Sequence, residues 1–150
     1  MDFKQSMAAG ILAAKKARES KAEIKSVIKD LNKELRAVSG GVVELKITDE
    51  KKLSPKYNAL TAGLSSLTGV DPYIDYQAIS INKISNPSER KILAEWKVDP
   101  SDGYPCVISY KNKNITCKNM ATLIEALNGL MADAQTGEKL LELLPSEGGE

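Results

Sequence analysis

The sequence predicts an α+β fold: a long N-terminal helix, an antiparallel sheet of about four strands covered by a C-terminal helix, and a short final helix. Three observations lead there. The first 38 residues hold no proline and place apolar side chains at alternating steps of four and three. Between about residues 42 and 117, short runs of alternating apolar and polar side chains are separated by Gly, Pro, Asn and Asp turns. From Asn119 the helical spacing returns. The length of 150 residues is that of one domain.

The N-terminal seam runs through Phe3, Met7, Gly10, Ala14, Ala17, Lys21, Ile24, Ile28, Leu31, Leu35 and Val38. Its second half is strongly apolar, whereas Gly10, Ala14 and Ala17 offer the first half little surface to bury. At about 100° per residue, Arg18, Lys21, Lys25, Lys29, Lys33 and Arg36 share one sector, and Glu19, Glu23, Asp30 and Glu34 the next. A basic ridge, an acidic ridge and an apolar stripe make this a surface helix with one face committed to a partner, either the body of its own chain or a second copy. About 36 residues of helix are roughly 54 Å long, more than the width of such a domain. Either part of it is covered from outside the protomer, or the chain begins with a frayed N-terminal arm followed by an ordinary helix from about Ala17 to Val38.

Gly40 and Gly41 stop the helix. Val42 to Thr48 alternates as a half-buried strand, followed by a charged turn or strand end at Asp49 to Lys52. Ser54-Pro55 reads as a cap and first turn of a short helix, with Tyr57, Leu60, Leu64 and Leu67 on its buried side and an end near Gly69; a serine-rich surface loop is the competing reading. Asp71-Pro72 turns into a strand over Tyr73 to Ile81, whose unclean alternation points to a bulge or a partly buried edge. Lys91 to Val98 is the clearest strand, with Ile92, Ala94, Trp96 and Val98 facing in and Leu93 out. After the turn at Asp99 to Gly103, Tyr104 to Tyr110 and Asn114 to Cys117 form a tight hairpin. Asn119 caps the main C-terminal helix, which carries Met120, Leu123, Ile124, Leu127, Leu130 and Met131. Thr136 opens a short last helix that Pro145 ends. The domain division is residues 1–38 as a long amphipathic helix and oligomerisation arm, 39–145 as a single α+β domain, and 146–150 as a flexible tail.

Composition narrows the chemistry. The net charge is +1 with 42% apolar and 27% charged residues, an ordinary globular balance. Residues 1–38 carry nine basic and five acidic side chains, and the stretch from Asp133 onward one lysine against five acids. No histidine is present, which removes the commonest neutral-pH base and metal ligand. Cys106 and Cys117 are too few for a zinc site. Depending on whether the hairpin turns through Lys111-Asn112 or Asn112-Lys113, they are direct or diagonal cross-strand neighbours, and either way they read as small buried hydrophobes. Asp71, Asp75, Glu95, Asp99 and Asp102 lie near strand ends, without a metal-ligand spacing.

No catalytic residue, metal ligand or cofactor is expected from this pattern. The sequence points to a small non-enzymatic protein-interaction module, an adaptor, assembly or regulatory protein. It is expected to form a homodimer or higher oligomer through Ile24, Ile28, Leu31, Leu35 and Val38 in a coiled-coil-like pairing, and to bind another protein besides. The alternative is nucleic-acid binding by Arg18, Lys21, Lys25, Lys29, Lys33 and Arg36, against which stands the adjacent acidic ridge. A carboxylate-dependent enzyme is the third reading. With no signal sequence or membrane span, a cytoplasmic location is expected.

Overall fold

A computed structural model describes residues 2–145 of the chain. The order is α1 (Phe3–Val38), β1 (Val43–Leu53), α2 (Ala59–Thr68), β2 (Tyr73–Lys83), β3 (Arg90–Asp99), β4 (Gly103–Tyr110), β5 (Lys113–Cys117), α3 (Met120–Ala132) and α4 (Ala134–Leu143). The expected α+β architecture is present, with five strands in one antiparallel meander of order β1-β2-β3-β4-β5. The tail at 146–150 lies outside the described residues.

Each helix has a local reason to begin and end where it does. Asp2 caps α1 by accepting the Gln5 N–H at 3.1 Å. At the far end, Gly40 and Gly41 have φ of 68° and 80°, and the Gly41 N–H bonds back to the Arg36 carbonyl at 2.8 Å. Asn119 and Thr122 form a reciprocal capping box at the start of α3. Asp133 caps α4, which begins two residues before the expected Thr136; that threonine is buried inside its first turn.

The core lies between one sheet face and a layer made by the second half of α1, α3 and α4. Val43, Leu45, Ile79, Ile81, Ala94, Trp96, Ile108 and Cys117 supply the sheet side, and Ile24, Leu35, Leu123, Leu127, Leu130 and Leu143 the helix side. The other face of β1 is polar, with the Glu50 carboxylate held by Arg90 at 2.8 and 3.0 Å, Lys46 3.2 Å from Glu44, and Lys52 paired to Glu95.

Of the two readings of Asp49 to Lys52, the strand end is the one present: β1 continues through Lys52 to Leu53, because β2 pairs with it all the way to Leu53–Tyr73. Two local expectations are corrected. A register shift between Ile79 and Ser80 leaves Leu93 as the extra residue opposite them. The bulge turns Leu93 inward to 6% exposure, where strict alternation points it out. Finally, α2 starts at Ala59 behind an Asn58–Thr61 capping box, not at Pro55. Its leucines do not face a core: Leu60, Leu64 and Leu67 are 74, 56 and 82% exposed.

The β4–β5 turn resolves the two hairpin registers. Lys111 and Asn112 both take positive φ, 53° and 60°, as a two-residue hairpin turn of the right twist requires. Cys106 and Cys117 are therefore direct cross-strand partners, both buried and both free thiols. Burial and the neighbouring sulfur push the Cys106 thiol up to about 12, which suits it to packing rather than nucleophilic chemistry.

Candidate functional site

The surfaces open to a partner follow from how α1 lies on the sheet. The helix meets β1 near its C-terminal end, where Asn32 Oδ1 accepts the Leu45 N–H at 2.7 Å. It meets β4 near its middle, where the Tyr104 hydroxyl donates to the Glu23 carboxylate at 2.7 Å. Gly103 marks the closest approach. It has φ +85°, and a Cβ there would lie 3.3 Å from Ile24 Cδ1, Lys21 Cγ and the Lys21 backbone nitrogen. Only glycine combines that backbone conformation with so near a helix.

Of the side chains expected to meet a partner, Ile24 and Leu35 are each 5% exposed inside the chain's own core. Ile28 and Leu31 are half-buried and pack against that core, while Val38 is 81% exposed. The stripe expected to bind a second copy is thus taken up largely by the protomer's own sheet.

The first half of α1 behaves differently. Every residue from Phe3 to Lys16 is exposed, a projection of about 21 Å. Phe3, Met7, Ile11 and Leu12 are 68, 63, 60 and 69% exposed. Phe3, Met7 and Ile11 line up with Gly10 and Ala14 on one side of the helix. Phe3 and Met7 already belong to the sequence seam. The change at Ala17 falls where the alternative sequence reading put it, but the segment before it is helix and not a frayed arm.

A second opening lies beside the docked half. The helix crosses the sheet diagonally and leaves a groove of about 610 Å³ where it does not cover β1, β2 and β3. Ile28, Ile47, Trp96 and Val98 contribute its apolar floor, and Lys21, Lys25 and Lys29 its helix rim. Trp96 is the single tryptophan of the chain. Asp99 lies at the groove edge with its carboxylate already accepting the Ser101 and Asp102 N–H groups at 2.8 and 2.9 Å; those bonds hold it below the usual carboxylate range.

The basic ridge Arg18, Lys21, Lys25, Lys29, Lys33 and Arg36 follows α1 as expected, but the acidic ridge does not neutralise it. Among the described residues, the ion pairs within 4.0 Å all involve other cations: Lys46, Lys51, Lys52, Lys83, Arg90, Lys91 and Lys111.

The strand-end carboxylates are engaged separately. Asp71 accepts the Tyr73 N–H, Asp75 faces Lys51 at 3.8 Å, Glu95 pairs with Lys52, and Asp99 holds its own turn. Among the described residues, no cluster of three or more His, Cys, Asp or Glu side chains is placed to hold a metal ion. Nor is any described helix long and apolar enough to cross a membrane. No protein-family model matches the chain, and neither a curated protein nor a solved structure matches it.

Proposed function

We propose that this protein is a non-enzymatic interaction module that self-associates through the projecting half of α1. One observation carries the reading: Phe3, Met7 and Ile11 are 60–68% exposed on one side of a helix half that the body does not cover. Isolated exposed apolar side chains are ordinary, but three on one helical face, beside Gly10 and Ala14, make a stripe that a second helix can approach closely. The contact buries few residues, which places it at the weak, concentration-dependent end of interfaces.

Charge gives this reading a distinct signature. Residues 2–16 carry Lys4, Lys15 and Lys16 against Asp2, so two such segments repel one another. Added salt screens that repulsion and strengthens self-association. A second reading, nucleic-acid binding by the basic ridge, is favoured by the absence of ion pairs on α1 among the described residues. It predicts the opposite salt dependence, since binding to phosphates releases counterions.

Light scattering across protein and salt concentration tests the first reading, and titration of an oligonucleotide across salt concentration tests the second. The expected result is a mass that rises with concentration and with salt, and that falls to the monomer value in Phe3→Glu/Met7→Glu/Ile11→Glu. A monomer at every concentration refutes self-association.

A further inference from the structure

We propose that the groove between α1 and the sheet is a docking site for an acidic amphipathic helix of a partner protein. This surface is separate from the self-associating stripe, and the inference does not depend on that stripe pairing.

The first support is the composition of the groove. Its floor is built from half-buried Ile28, Ile47 and Val98 beside Trp96, which is 6% exposed. At about 610 Å³ it falls within the range of a binding site for a compact apolar group. An aliphatic floor suits leucine-type side chains. A nucleobase would look for an open aromatic face, and Trp96 is too deeply set to offer one.

The second support is the rim. Lys21, Lys25 and Lys29 stand at successive steps of four along α1, about 6 Å apart over some 12 Å. None of them belongs to an ion pair found among the described residues. The one acid lining the groove, Asp99, accepts from its own backbone and also feels the Lys21 charge, which leaves Lys25 and Lys29 as the rim cations with no acid beside them in the groove. A single anionic head group needs one of these cations. Three in register match a row of carboxylates repeating on a helix at the same spacing.

Charge also decides against one exposed apolar helix of a second copy, the first half of α1. That segment would bring Lys4, Lys15 and Lys16 towards Lys21, Lys25 and Lys29. The like charges oppose it, whereas an acidic helix is drawn in and oriented by the same lysines.

The experiment uses the full-length protein and a labelled synthetic peptide of about 18 residues, with leucines on one helical face and glutamates at steps of four beside them. Anisotropy reports binding, and Trp96 fluorescence reports whether the groove is the place, because no other tryptophan contributes. Saturable binding with a change in Trp96 emission intensity is expected. Lys25→Glu/Lys29→Glu should weaken it by about tenfold or more, and a peptide with lysines in place of the glutamates should bind that variant and not the wild type. If the charge-reversed variant fails to fold, Lys25→Gln/Lys29→Gln replaces it and the expected effect is loss without rescue. The monomeric Phe3→Glu/Met7→Glu/Ile11→Glu protein should bind the acidic peptide as wild type does, which separates this inference from self-association. No saturable binding up to about 1 mM peptide overturns the proposal. So does equal binding by the charge-reversed variant, or displacement of the peptide by an oligothymidylate through the same lysines.

Discussion

The two halves of α1 share one backbone and nearly the same helical phase, yet they meet different surroundings. From Ala17 onward the helix gives Ile24 and Leu35 to the core, lends Asn32 and Glu23 to hydrogen bonds with β1 and β4, and lies against Gly103. From Phe3 to Lys16 it touches little but water. The difference is not one of helix propensity, since alanines and lysines favour helix in the first half as well. It comes from where the sheet ends. The seam therefore has two roles: its C-terminal part closes the domain, and its N-terminal part is left for another molecule.

Breaking the docked half should have the largest effect. Leu35→Ala removes a core side chain and is expected to cost about 2–5 kcal/mol in denaturant unfolding, as is Ile24→Ala, with no gain of oligomer. A loss under about 1 kcal/mol at both sites would show that the helix is not seated as described. Gly103→Ala probes the same seat from the sheet side. It forces an alanine into positive φ against α1 and should destabilise by about 1–3 kcal/mol.

Acidification sharpens the comparison further. Side-chain bonds from Asn82 to Glu44, from Arg90 to Glu50 and from Lys111 to Asp133 hold those carboxyls below their ordinary range. Their folded-state values lie below their unfolded ones, so the stabilisation is present above about pH 4 and is lost as pH falls through the lowered values. The melting temperature should therefore drop below about pH 4. The midpoint of self-association, with no such carboxylate on residues 3–16, should be less affected while the body stays folded. The smallest effect on stability is expected for Phe3→Glu/Met7→Glu/Ile11→Glu, within about 0.5 kcal/mol per position in the monomer, although it should abolish association.

Much of the fold was legible because its signals are local. Period-two and period-3.6 patterns locate the strands and helices, and Gly40-Gly41 and Asn119 mark their ends, while the β4–β5 hairpin is legible in the sequence only as one of two registers. The failures are those of tertiary placement. Leu60, Leu64 and Leu67 have the spacing of a buried face, but α2 lies in the connection between β1 and β2 and those three side chains stay open. Leu93 obeys the alternation until the bulge shifts it by one residue. In the candidate site the same limit applies. The sequence contains both the apolar seam and the lysine ridge, but the assignment of Ile24 and Leu35 to the core, and of Phe3, Met7 and Ile11 to the open, depends on where α1 crosses β4 and β1. The groove joins Ile47, Trp96 and Val98 to lysines more than 15 residues away in the chain, so no local pattern announces it.

The most direct measurement is amide hydrogen exchange resolved along α1 at low and high protein concentration. In the dilute protein, amides of residues 17–38 should be strongly protected and those of residues 3–16 should exchange quickly, because a projecting helix half frays without tertiary cover. At high concentration, protection should appear in residues 3–16 and leave 17–38 unchanged. Uniform strong protection along the whole helix in the dilute monomer, or no gain in residues 3–16 on concentration, would contradict the division of α1 into a docked half and an associating half.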